Sequence, residues 1–168
     1  MTPVGFGPGG SRGGPQFDLD MRGLKASGTL LRDIAERGEN MRSAMLRIKE
    51  LLIEGHRKQF SSGGSFLGTP WEPNAPGTLA RKAREGIPSL NRPMVASGDL
   101  MESLSGGKGA RSRVSKSGVS VGTSLFYAVF HINPKRKGMP ARPPVGINEA
   151  ERETALTIIE RHLMGRSL

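Results

Sequence analysis

The chain has 168 residues, no cysteine and a formal net charge of +10. The missing cysteine excludes disulfides, thiolate metal sites and cysteine nucleophiles, and no apolar run approaches the ~18 residues of a membrane span. Hydrophobic residues make up only 35% of the chain, against 24 glycines and 12 prolines. A single modest core with loops and arms around it is therefore expected, with partner subunits covering part of it.

The opening MTPVGFGPGG has no apolar h-region, so it does not read as a signal peptide, and a cytoplasmic origin is expected. Residues 1–16 are mostly Gly, Pro and polar groups. Such a segment cannot bury enough surface to offset its ordering entropy. A flexible N-terminal arm over 1–29 is expected, followed by one domain over 30–168. From about Leu30 to Phe60 the pattern is helical: Ile34, Met41, Met45, Ile48 and Leu52 form one stripe, widened by Leu31 and Leu51. Gly38 marks a candidate kink or break, and Gly55 a candidate cap or last-turn residue.

Residues 61–77 read as a long loop of turn residues. Trp71, flanked by Pro70 and Glu72-Pro73, is expected to pin that loop to the core or to an adjacent subunit. Thr78 reads as the N-cap of a short basic helix, Leu79 to Glu85, and Asp99 as the cap of one or two further turns. Val114, Ser115-Lys116-Ser117-Gly118 and the alternation around Val119 and Val121 give a hairpin signal. Phe126 to Ile132 is apolar and fits a strand or a short helix. Met139-Pro140-Ala141-Arg142-Pro143-Pro144 must be extended, because proline disfavours helix in the residue before it. Asn148 then caps a last helix, with Glu151 at N3 in a capping-box pattern and Ala155, Ile158, Ile159, His162 and Leu163 on its apolar face. The fold class is α+β: a long amphipathic helix and a C-terminal helix packed on a small antiparallel sheet, with extended Gly/Pro-rich arms.

Chemistry is hard to find in this sequence. His56, His131 and His162 stand in no metal-ligand spacing. The Ser-Gly pairs lack the strand-turn-helix context of a nucleophile elbow. Gly106-Gly107-Lys108-Gly109 lacks the spacing and the Ser/Thr of a phosphate loop. The carboxylates of the last helix read as a solvated face. The chain is read as no enzyme, with no cofactor. Basic residues fall in every third of the sequence, so the charge reads as spread out. Few aromatics accompany it, which argues against sequence-specific nucleic-acid recognition but leaves non-specific proximity to double-stranded DNA open. The densest basic cluster is Lys135-Arg136-Lys137, either a solvated loop tip or a contact with DNA or an acidic protein surface.

Several segments in order resemble a known family. Phe66-Leu-Gly-Thr-Pro-Trp71-Glu-Pro-Asn74 precedes Thr78-Leu-Ala-Arg-Lys82. Ser97-Gly-Asp-Leu-Met-Glu-Ser-Leu104 follows, then Val119-Ser-Val-Gly-Thr123, Tyr127-Ala-Val-Phe-His131 and Met139-Pro-Ala-Arg-Pro-Pro144 before a closing helix. This order, over roughly residues 40–165, resembles the phage virion morphogenesis family, which holds the tail-completion proteins of phages Mu and P2. Pro144 stands where that family usually has an aromatic, and Ile132-Asn133-Pro134 replaces its usual segment after the histidine. The resemblance implies an α+β structural protein of the virion, at the neck or head-proximal tail end, acting in tail completion and head–tail joining. It also implies a ring of identical subunits, sixfold to match a tail tube, against neck, tail-tube or terminator proteins, with no membrane. Trp71, Lys135, Arg136, Lys137, Met139, Pro140 and Arg142 are the expected interaction residues. The alternatives are a tail terminator, a minor capsid protein or a non-specific DNA-binding protein.

Overall fold

The computed structural model describes residues 21–132 and 140–167, with side chains from residue 27 onward. Among these residues the fold is α+β, six helices with one two-stranded antiparallel sheet. The helices are α1 (Met21–Glu39), α2 (Arg42–Ser61), α3 (Pro76–Arg84), α4 (Asp99–Leu104), α5 (Val129–Ile132) and α6 (Glu149–Leu163). The strands are β1 (Ala110–Val114) and β2 (Val119–Thr123).

The long helical stretch expected over Leu30 to Phe60 is two helices. It begins at Met21, inside the span expected as an arm, while residues 1–20 lie outside the described residues. The break falls at Asn40-Met41, two residues after Gly38, because other segments claim the backbone there. His162 Nε2 lies 3.2 Å from the Arg37 carbonyl and 3.1 Å from that of Asn40, so it donates to both. Its Nδ1 then accepts from the Ser43 hydroxyl at 3.2 Å. The Met41 amide leaves the helix pattern to bond Lys116 in the hairpin turn at 2.9 Å. The last turn of α6 and the tip of the hairpin thus fix the joint between α1 and α2.

α2 is the spine of the molecule. It touches α4, α6, both strands and the 3-10 turn at Ser65–Leu67. Its buried positions, Ala44, Met45, Ile48, Gly55, His56, Gln59 and Phe60, recur at helical spacing and continue the stripe read from sequence. The hairpin forms as expected, with Ser112 opposite Val121 and Val114 opposite Val119, closed through Ser115–Gly118. Its inner face packs on α2 and α4, where Ser103 and Thr123 share a 2.7 Å hydrogen bond. The Phe126–Ile132 segment is helical, a 3-10 turn leading into α5.

Two helix starts differ from their expected places. α3 begins at Pro76, which suits the first helical position with its fixed φ and absent N–H, so Thr78 lies inside the helix. α4 is capped by Gly98 in the left-handed region (φ 92°), and Asp99 is its first residue, bonded to the Ser97 hydroxyl.

The capping box of α6 is complete. The Glu151 amide donates to Asn148 Oδ1 at 2.8 Å, and the Asn148 amide donates to Glu151 Oε2 at 3.1 Å. Glu151 is not on a solvated face: it is buried, with its carboxylate seated directly on Gly55 of α2. A Cβ at Gly55 would fall 2.0 Å from Glu151 Oε1. At an open helical site Gly→Ala stabilises by about 1 kcal/mol. Here Gly55→Ala is expected to destabilise by about 1–3 kcal/mol through overpacking. Urea unfolding of Gly55→Ala, with and without Glu151→Ala, checks this, and the carboxylate's removal should recover part of the loss.

His56 is buried and donates Nδ1–H to the Leu104 carbonyl at 3.1 Å. Burial holds its imidazole below the ordinary 6.5, against smaller upward pulls from that carbonyl and from Glu151. The unfolded chain therefore takes up the proton first as pH falls. The stability His56 contributes is full above about pH 6.5 and is lost below it. The unfolding midpoint should drop from about pH 7 to about pH 5, and the drop should be smaller in His56→Gln, which keeps an N–H for Leu104.

Candidate interaction surface

The loop over 61–77 is tied down from three sides. Gly64 adopts φ 99° and lies so close to Trp71 that a Cβ would meet the indole at 2.5 Å. Trp71 is buried and meets Phe60 of α2 edge-on, ring centroids 5.2 Å apart. Gln59, 1% exposed, accepts from the Leu67 amide at 3.1 Å and donates to the Pro143 carbonyl at 3.0 Å. Arg142 closes the third side, its Nε donating to the Glu72 carbonyl at 3.0 Å and its Nη2 to that of Pro73 at 2.9 Å. The segment 140–144 is thus laid against its own chain's tryptophan loop, with Pro144 fully buried.

Two expected contact residues are therefore internal fasteners here. Trp71 anchors the loop to the core, and Arg142 spends two donors on that loop. Pro140 sits at the rim of a cleft. Lys135, Arg136, Lys137 and Met139 lie outside the described residues.

That cleft, of about 540 Å³, lies between α3, the 94–100 segment, Tyr127, His131 and Arg142. Its charged groups are largely occupied. Arg81 pairs with Glu85 at 2.7 Å, and Asp99 accepts from Ser97. Burial pushes the Tyr127 phenol up, with Asp99 adding to it, and pushes the His131 imidazole down, with Arg142 adding to that. Tyr127 and His131 meet edge-on at 6.5 Å. Among the described residues no group of three His, Cys, Asp or Glu could hold a metal, and no helix is long and apolar enough to cross a membrane.

Lys82 is the residue that reading by sequence missed. Read only as one residue of a short basic helix, it is 3% exposed. Its ammonium donates to the carbonyls of Ser89 (2.8 Å), Arg92 (2.9 Å) and Val95 (2.6 Å). An ammonium has three donors, and all three are used. Burial, with Arg81 adding to it, lowers its pKa. The three carbonyls curl the 85–95 segment around it, which includes Met94 in the left-handed region (φ 64°). Its only sequence signal is a lysine within reach of a Pro- and Gly-punctuated loop.

The exposed surface is elsewhere. On the turn of helix at 126–132, Ala128 is buried, and Tyr127 and His131 face the cleft. Phe126 (80% exposed), Val129, Phe130 and Ile132 face outward. Phe126 packs edge-on against Phe130 at 6.4 Å, so the two rings form one apolar surface. Large apolar groups clustered in water mark a contact surface rather than a core.

A family model matches residues 23–164. The chain belongs to the phage virion morphogenesis family. This is a family of structural proteins of the bacteriophage particle, so the chain has a structural role in the virion. The match begins near the start of α1. No curated protein and no solved structure matches the chain.

The Lys82 hub gives a test. Lys82→Met takes the ammonium donor from the carbonyls of Ser89 and Arg92 and leaves the buried one of Val95 with the Ser89 hydroxyl alone, and should cost about 1–3 kcal/mol. Limited proteolysis should then cut within 85–95 before any other described segment.

Proposed function

We propose that this chain is a ring-forming subunit of the neck or head-proximal tail end, acting in tail completion and head–tail joining. The observation that carries this reading is the outward cluster of Phe126, Val129, Phe130 and Ile132, held on an ordered helical turn in a member of a virion morphogenesis family. A buried aromatic contributes ~150–250 Å² to a contact. Two exposed aromatics side by side supply the anchor that interface hot spots need. The occupant proposed is a second copy of the chain, each subunit contributing this turn to its neighbour. The cleft beside it, between α3, the 94–100 segment and Pro140, is the concave face offered to such an anchor.

Native mass measurement of the free protein at rising concentration, and of the protein released from particles, tests the ring. A sixfold species is expected. Phe126→Ser with Phe130→Ser should give a folded monomer with an unchanged circular dichroism spectrum. A chain that stays monomeric in both settings, or a double variant that assembles as the parent does, sinks the reading.

A further inference from the structure

Element by element, the positive charge is not spread out. No Asp or Glu occurs from residue 103 to 148, a stretch holding eight of the 25 basic residues, whereas the other 17 face all 15 acids of the chain. Counting by thirds of the sequence hides this, because each third includes acids from neighbouring helices. Four of the eight, Lys108, Arg111, Arg113 and Lys116, are carried by the β1–β2 hairpin and its two ends, and all four are exposed.

The hairpin register sorts its two faces. Arg111 stands opposite Gly122 and Arg113 opposite Ser120, on the face away from the valines that pack inward. With Ser124, Arg111, Arg113 and Ser120 line one shallow open depression. Ion pairs among the described residues occur on α1, α2, α6 and from α3 to Glu85, and none involves the hairpin. Neither guanidinium makes a hydrogen bond or ion pair with a described residue, although Arg37, Arg42, Arg57 and Arg142 all bond their own chain.

We propose that this outer hairpin face binds the phosphate backbone of double-stranded DNA without reading its sequence. Arginines two apart on a strand lie ~6.8 Å apart at the usual rise of ~3.4 Å per residue, so each can take its own phosphate. Guanidinium, hydroxyl and open backbone are the groups that contact phosphate. Gly122 leaves the backbone bare opposite Arg111. The face has no aromatic on which an unpaired base could stack, which favours duplex over single strand. It also lacks the apolar and aromatic centre of a protein interface, where serine is depleted. An acidic protein partner would meet charge here without an anchor, and the molecule's apolar surface lies on a different element, at 126–132. The proposal stands on the hairpin alone and does not depend on ring formation.

The test measures binding of the full chain to a labelled duplex of random sequence, by anisotropy, between about 50 and 200 mM salt. Arg111→Gln with Arg113→Gln should weaken binding and make the slope of log K against log salt shallower by about 2, roughly 0.9 for each lost phosphate contact. Arg111→Lys with Arg113→Lys keeps the charge and should keep the slope. Both pairs are exposed and unpartnered, so their unfolding midpoints should equal the parent's; if the Gln pair loosens the strand, a Thr pair, which suits a strand, replaces it. Failure of the parent to bind at about 50 mM salt overturns the proposal. So does an unchanged slope in the Gln pair, or competition by poly-glutamate as strong as that by unlabelled duplex, which would assign the face to an acidic protein. The mass of the same samples, measured in parallel, keeps this result separate from the question of the ring.

Discussion

Two buried polar side chains on one helix face hold this small protein together. His56 and Gln59 sit in the last two turns of α2, flanked by Gly55 and Phe60, and together the four meet α6, α4, the tryptophan loop and the proline segment. Gly55 receives the carboxylate of α6, His56 the end of α4, Gln59 both the tryptophan loop and the proline segment, and Phe60 the indole of Trp71. A core with so little apolar surface cannot rely on area alone. Buried polar groups are costly when left unpaired, so the register in which His56 and Gln59 find their partners is selected over its neighbours. The arrangement trades bulk for specificity.

Much of the local structure was legible from residues because it rests on short-range rules. The Asn148–Glu151 capping box, the hairpin around Ser115–Gly118 and the helical stripe through Met45, Ile48 and Leu52 all formed where their patterns lay. The fold class and the family followed from the order of such segments. The departures share a cause, which is that distant residues decide them. The helix break moved from Gly38 to Asn40-Met41 because His162 and Lys116 arrive there from far along the chain. Glu151 was read with a solvated face, and Lys82 simply as part of a basic helix, because periodicity does not show what packs on them. Residues 21–29, grouped with the arm on composition, are the first turns of α1, and that helix packs on α6.

Of the candidate contact residues, Trp71 packs on the core, one of the two places expected for it, and Arg142 bonds the same loop. Both fasten the 61–77 loop within the subunit. The outward residues, Phe126, Val129, Phe130 and Ile132, were visible in sequence as an apolar run whose direction could not be assigned. A strand and a helix turn different members of such a run toward water, and only the helical outcome puts Phe126 beside Phe130. The structure separates three roles that the sequence interleaves: an inward polar hub on α2, an apolar outward turn at 126–132, and a hairpin face bearing unneutralised arginines.

The Lys82 hub has a consequence for a particle that must survive outside a cell. Loops folded around three convergent carbonyls commonly need a bound cation, whose occupancy follows the composition of the surroundings. Here the cation is covalently attached to the chain through α3 and cannot be diluted away or stripped by a chelator. The donor that holds the 85–95 segment thus comes with the chain itself, whatever ions the surroundings supply.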